Sequence, residues 1–221
     1  MAFSSFYKFC CIKQNKNTLK NASLLENFIS LQAPKQPLIH KFTKPIKVGF
    51  VGRLSFEKGP DIFFQLAKNM QNNHDIKFHV FGEGPLENEI PNIRNLHYHG
   101  LTDRRDIWEQ IDVLLICSRE EGLPMTLLEA MSEQKLVIST AVGAIPSIID
   151  NNKTGLLIPE VSAKHCQQCV EKLLMMSNIQ KTNMLHNAYN MLEERFSGKK
   201  QFLRLHHAYT GHDVTDFLPN F

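Results

Sequence analysis

Asp112-Val113-Leu114-Leu115-Ile116-Cys117-Ser118-Arg119-Glu120-Glu121-Gly122-Leu123-Pro124-Met125-Thr126-Leu127-Leu128-Glu129-Ala130 carries the switch that decides the fold. Its first six residues form a short apolar run that reads as a buried strand. After Gly122 the period becomes helical: Pro124 suits a first helical position, and Met125, Leu128 and Met131 recur on one face. A helix that starts at the carboxyl end of a parallel strand offers free N–H groups and a favourable dipole to an anion. Glu121 in the loop and Glu129 inside the helix frame that position. Carboxylates repel phosphate, so these two are better suited to accept hydrogen bonds from hydroxyls. A phosphate flanked by hydroxyls describes a sugar nucleotide.

Working outward, strands and helices alternate. Ile46-Lys47-Val48-Gly49-Phe50-Val51-Gly52 reads as the first strand, and Pro60-Asp61 opens a helix with Phe63, Leu66, Ala67 and Met70 on one face. Strands are expected at Ile76–Phe81 and Asn95–His99, with a short helix after Pro85. Thr102 or Asp103 is placed to cap a helix carrying Ile107 and Trp108. A fifth strand is expected at Lys135–Thr140, then a short helix ending near Asp150, and a sixth strand at Gly155–Ile158. Helices follow from Ser162 to about Met176, from about Ile179 to Arg195, and between Lys199 and Tyr209. This alternation predicts an α/β fold: a doubly wound, parallel, Rossmann-like sheet of about six strands with a helical C-terminal extension. Residues 1–45, with a short helix near Leu24–Leu31 and Pro34, Pro37 and Pro45, read as an extension and linker. Residues 46–197 form the domain, and 198–221 a tail.

Composition restricts the function classes. Of 221 residues, 43% are hydrophobic and 21% charged, the profile of a soluble globular protein. A formal charge of +3, without a basic run, gives no support to nucleic acid as a partner. Five cysteines, unevenly spaced, do not form a disulfide framework and suit a reducing compartment. No stretch approaches the ~20 apolar residues of a membrane span, and the short apolar start, interrupted by Lys8, does not read as a signal peptide. The expected location is therefore cytoplasmic.

In a doubly wound sheet, ligands sit beyond the carboxyl ends of the strands. The unusual loops fall at that edge: 52–59, 82–85, 100–102, 118–124 and 141–145. Arg53 and Lys58 bring two cations there without a phosphate-loop pattern. They suit a diphosphate leaving group, or they are solvated loop charges. Gly82-Glu83-Gly84 and Gly143-Ala144 allow close backbone approach or simply turn the chain. Cys166-Gln167-Gln168-Cys169 has half the spacing of a zinc site but lies in an expected helix without a second pair. His97 and His99 lack matching acidic or thiol ligands and are expected to be packed or solvated. No metal site is expected.

Five pieces in this order resemble a known family: Val48-Gly49-Phe50-Val51-Gly52-Arg53-Leu54 with Glu57-Lys58-Gly59, Phe81-Gly82-Glu83-Gly84-Pro85, Ser118 to Ala130, Val142-Gly143-Ala144-Ile145-Pro146, and Thr154-Gly155-Leu156-Leu157-Ile158-Pro159. Residues 46–196 resemble the C-terminal, donor-binding domain of retaining GT-B glycosyltransferases of the glycosyl transferases group 1 family (family 4). Glu121 and Glu129 match that family's two glutamates. The resemblance implies that Arg53 and Lys58 hold the donor diphosphate, Glu121 contacts the transferred sugar, and Glu129 binds the ribose hydroxyls. Gly52, Gly82, Gly84, Leu101, Gly122, Leu123, Pro124 and Met125 would complete the donor-binding surface. It implies a retaining hexosyl transfer from a UDP- or GDP-linked sugar by same-face displacement, without a cofactor, metal or protein nucleophile.

The sequence departs from the family at Gln134 and Leu136, where a Gly and a Pro are usual, and at Ala144 and Ser147, where a Gly and a Glu are frequent. The resemblance also implies an acceptor-binding N-terminal domain, which 45 residues cannot supply. The expected partner is that domain, missing or on a separate chain, and the isolated chain is expected to be incomplete or inactive. The implied acceptor can be membrane-associated, with the protein peripheral at the inner face. Apolar Phe202, Leu205, Phe217 and Leu218 in the tail are an expected partner surface. Two further readings stand beside the enzyme: a non-catalytic nucleotide-sugar-binding or interaction module, and another GT-B-type enzyme such as an epimerase or phosphorylase relative.

Overall fold

The computed structural model describes residues 42–198 together with Ile29, Phe202, Leu203 and His206. The helix expected near Leu24–Leu31, most of the one expected between Lys199 and Tyr209, and Leu205, Phe217 and Leu218 lie outside the described residues. Six strands form one sheet: β1 (Ile46–Val51), β2 (Ile76–Phe81), β3 (Leu96–Tyr98), β4 (Val113–Ile116), β5 (Leu136–Thr140) and β6 (Leu156–Ile158). All neighbours are parallel, in the order β3-β2-β1-β4-β5-β6. The order reverses direction between β1 and β4.

Helices α1 (Pro60–Asn69) and α4 (Ala163–Met175) cover one face. Helices α2 (Arg104–Gln110), α3 (Met125–Ser132) and α5 (Asn178–Arg195) cover the other. Strand alternation divides the core accordingly. Val48 and Phe50 point to the first face, where Phe50, Phe63 and Phe78 make edge-on ring contacts at 5.7 and 5.5 Å. On the second face Trp108, Leu114, Leu127, Leu128, Leu192 and Phe196 pack together. Complete burial of a side chain such as Phe63 contributes roughly 1.5–3 kcal/mol. Burial of both faces explains why β4 is apolar throughout rather than alternating, and why every residue of β5 is buried, the hydroxyls of Ser139 and Thr140 being satisfied by backbone carbonyls.

The helix starts follow local chemistry. Asp103, Ser162 and Ser177 accept backbone hydrogen bonds at the N-caps of α2, α4 and α5, and Ser177 with Gln180 makes a capping box. The short helix expected after Pro85 and the one expected to end near Asp150 are single 3-10 turns, Glu87–Glu89 and Ile145–Ser147. Pro124 differs from the reading above by one position. With ψ at 124° it is the extended cap residue before α3 rather than its first helical residue, and its carbonyl accepts the Leu127 N–H. The ring fixes φ, so a proline suits either place.

Candidate functional site

β1 and β4 pair only at Val48–Val113 and Gly49–Leu114, then diverge towards their carboxyl ends. The crevice that opens is where a doubly wound sheet receives a ligand. The loops around it are stitched by backbone bonds. Gly52 donates to Phe81, Leu54 to Glu83, and Gly82 to Gly100, which ties together the loops after β1, β2 and β3. Gly82 and Gly84 allow this approach: an added Cβ would fall 2.1 Å from the Gly52 carbonyl oxygen and 2.5 Å from that of Leu54.

The loops after β4 and β5 interlock similarly. Ala144 donates to the Gly122 carbonyl at 2.9 Å. Gly143, at φ 58°, brings its α-carbon so close to the Glu121 carbonyl that a Cβ would sit 1.9 Å from the oxygen. Arg119 fixes the opposite side of the same loop. Its guanidinium grips both Asp61 oxygens at 2.8 and 2.7 Å, donates to the Phe56 carbonyl and lies 3.9 Å from the centre of the Phe56 ring. The Arg119 fork holds the Asp61 carboxyl below the usual carboxylate range.

Within this frame two ion pairs converge. Lys58 Nζ donates to both Glu121 oxygens at 2.7 and 2.9 Å, and Ser118 Oγ donates to one of them at 2.7 Å. The Glu121 side chain is 7% exposed. On α3, Glu129 is buried, and burial raises its pKa while Arg104 pulls it back down. Arg104 Nη2 lies 2.8 Å from Glu129 Oε1. Both pairs line one cleft of about 160 Å³, with Phe50, Val51, Gly52, Leu115, Ile116, Met125 and Thr126 as further walls. No side chain caps the start of α3, which opens at the cleft wall.

Of the residues expected in the site, the structure brings Gly52, Lys58, Glu121, Met125 and Glu129 into the cleft. Gly82 and Gly84 support the loops behind it, and Gly122, Leu123 and Pro124 form the turn leading to α3. Arg53, next in the chain to Gly52 of the cleft wall, is exposed; the Ser55 hydrogen bond first, and the Arg53 charge after it, lower the pKa of Glu57. Leu101 is 76% exposed at the same edge. Sequence reasoning missed Arg104. Its place just after the 100–102 loop put it at the correct edge, but only the packing of α2 beside α3 aims it at Glu129.

Elsewhere His79, His97 and His99 pack on one another, whereas His74 and His186 are exposed. His79 and His99 share a 3.0 Å ring-nitrogen contact, and the rings of His79, His97, His99 and Phe81 adjoin along β2 and β3. Burial, then His99 and His97, pushes the His79 pKa down to about 4. Cys166 and Cys169 lie within α4. Among the described residues no three His, Cys, Asp or Glu side chains are gathered as a metal set. Phe202 is half exposed. No helix among the described residues is long and apolar enough to cross a membrane.

A family model described as glycosyl transferases group 1 matches residues 45–176. A Campylobacter jejuni enzyme, an undecaprenol-linked glycan α-1,4-N-acetyl-D-galactosaminyltransferase, is 32% identical over 128 residues, covering 53% of this chain and 35% of that protein. The chain spans between 35% and 53% of the length of the curated relatives it matches. Among solved structures, the C-terminal domain of a glycosyl transferase group 1 family protein from Francisella tularensis superposes with a TM-score of 0.62. It is 22% identical and covers 69% of this chain and 87% of that one. A mutant of S. aureus TarM, in complex with fondaparinux, alpha-GlcNAc-glycerol and UDP, superposes with a TM-score of 0.73. It is 21% identical and covers 87% of this chain and 40% of that one.

Proposed function

Since this chain belongs to the glycosyl transferases group 1 family and has the fold of that family's C-terminal domain, we propose that its cleft binds a nucleotide-diphosphate sugar for retaining transfer to an acceptor hydroxyl. The observation that carries this reading is the convergence of Lys58, Glu121 and Glu129 on one cleft at the carboxyl ends of β1 and β4, beside the start of α3. The diphosphate lies against that helix start, within reach of Lys58 and of Arg53, which swings in from solvent. Glu121 accepts from hydroxyls of the transferred sugar, and Glu129 from those of the ribose. When the anomeric C–O bond breaks, negative charge grows on the departing phosphate oxygen, and the two cations stabilise it. The acceptor oxygen forms its bond on the face the leaving group vacates, and its proton passes to that phosphate oxygen.

UDP is the first nucleotide to test, because TarM was crystallised with it. An acceptor-binding domain, on this protein or a separate chain, completes the enzyme. Phe56, 66% exposed, and Leu101 lie at the edge it would cover. The deciding experiment is calorimetric titration of UDP, GDP and ADP, and their hexose conjugates, into wild type and an Arg53→Ala/Lys58→Ala double variant. One nucleotide series should bind the wild type. The double variant should lose roughly 1.5–3 kcal/mol per cation, at least tenfold in affinity for each. Equal binding by both proteins, or binding to neither, would remove the donor site from this cleft.

A further inference from the structure

The turn that carries Lys58 has little of its own to hold it. Phe56–Lys58 is a single 3-10 turn that buries no side chain. Apolar burial, which seats α1 through Ile62, Phe63 and Phe64, therefore does not fix it. Among the described residues, every hydrogen bond the turn makes beyond residues 55–59 goes to the 118–121 loop. The Phe56 carbonyl accepts from Arg119 Nη1 at 2.7 Å, the Glu57 carbonyl accepts from the Arg119 N–H at 2.8 Å, and Lys58 Nζ reaches Glu121. Arg119 is tied in turn to α1, because its guanidinium takes both oxygens of Asp61 in the first turn of that helix. The pair is partly sheltered, the Arg119 side chain being 26% exposed and that of Asp61 34%. Neither residue is among the walls of the cleft, and Asp61 lines a separate groove with Gln65, Lys68 and Glu89. One side chain thus joins a well-seated helix, the turn of Lys58 and the loop of Glu121 from behind the cleft.

We propose that Arg119 is a positioning residue: its clasp on Asp61 and the Phe56 carbonyl sets where Lys58 stands relative to Glu121, and so where the cleft presents its cation to an anionic ligand. This rests on the reading of the cleft as a nucleotide-sugar site. A planar fork bonded to two carboxylate oxygens fixes direction as well as distance, which a single contact does not. The same guanidinium that grips Asp61 holds the Phe56 carbonyl, two residues before Lys58, so the turn cannot shift without straining the fork. The clasp also predicts a sign that simple electrostatics does not. Removing the Asp61 charge, taken alone, favours an anion in the cleft. Removing it also loosens the Lys58 turn, which disfavours the same anion.

The test uses the full chain as wild type, Arg119→Ala and Asp61→Asn, the last nearly isosteric so that the fold is kept. Acetylation by an N-hydroxysuccinimide ester is followed at each lysine by mass spectrometry. UDP and GDP are titrated calorimetrically into these proteins and into Lys58→Ala and Lys58→Ala/Arg119→Ala. Lys58 should react at least about threefold faster in both clasp variants, because an amine released from a carboxylate is freer to attack. Lys135, half-buried just before β5 at the amino ends of the strands, should keep its rate. Nucleotide binding should weaken about tenfold in Arg119→Ala, but less than about twofold where Lys58 is already replaced. It should also weaken in Asp61→Asn. An unchanged Lys58 rate overturns the inference, and so does a rise shared by Lys135, since Arg119 would then hold the whole fold rather than the pair. Equal losses with and without Lys58, or tighter nucleotide binding in Asp61→Asn, overturn it as well. Failure of the wild type to bind either nucleotide overturns the functional reading instead, and the acetylation rates then decide the positioning role by themselves.

Discussion

Replacing Gly143 by Ala tests whether the Glu121 loop is seated as described. At φ 58°, an L-residue in the left-handed region costs roughly 1–2 kcal/mol. The new Cβ would lie 1.9 Å from the Glu121 carbonyl oxygen, 2.7 Å from its carbon and 2.9 Å from the Gly122 oxygen. The shortest of these is about 1.5 Å below ordinary contact, and all three atoms are backbone, so no rotamer change relieves the overlap. Forcing the two loops apart adds roughly 1–3 kcal/mol. Gly100 is the internal control. Its φ of 63° is nearly the same, but its Cβ would meet nothing nearer than 3.9 Å. Gly100→Ala therefore carries the backbone cost alone, and the loss of unfolded-chain freedom is common to both variants.

Urea unfolding of the two variants should give midpoints that differ by roughly 1 M, with Gly143→Ala the lower, given slopes of roughly 1–3 kcal/mol per M. Gly143→Ala should also weaken nucleotide binding, because displacing Glu121 separates it from Lys58 and Ser118. Equal midpoints would refute the interlocked loops.

Two further predictions concern stability. Gln134, where the resembling family carries a glycine, sits at φ 53° just past α3. There its N–H bonds Met131 and the Lys135 N–H bonds Ala130, which is a Schellman ending. Gln134→Gly should stabilise the chain by about 1 kcal/mol and raise the thermal midpoint by a few degrees; an unchanged or lower midpoint contradicts this. His79 is buried with its pKa depressed to about 4, against about 6.5 in the unfolded chain, so unfolding takes up a proton between those values. Stability present above about pH 6.5 should fall by roughly 3 kcal/mol as the pH drops to about 4. His79→Phe should flatten that part of the curve; parallel curves for variant and wild type would exclude His79 as the cause.

How much was legible depended on the range of the interactions involved. Ile76–Phe81 reads correctly as a strand because six residues of β-forming, largely apolar sequence are bounded by turns. The step from β4 to α3 was equally readable, since a continuous apolar run gives way to helical spacing across Gly122 and Pro124. Periods of two and 3.6, caps and glycines are local properties of the chain, and they determined the sheet, its parallel sense and the edge at which the site lies. The partners within the site were not local. Lys58 lies 63 residues from Glu121, and Arg104 meets Glu129 across two helices, so neither pair follows from spacing. Only the crossing order of the strands, which sets β1 beside β4, brings Lys58 to Glu121 while leaving Arg53 in solvent. The sequence by itself determined the architecture and the residue types available at one edge. Tertiary packing decided which of them share a charge, because burial and distance, not order along the chain, set the strength of an ion pair.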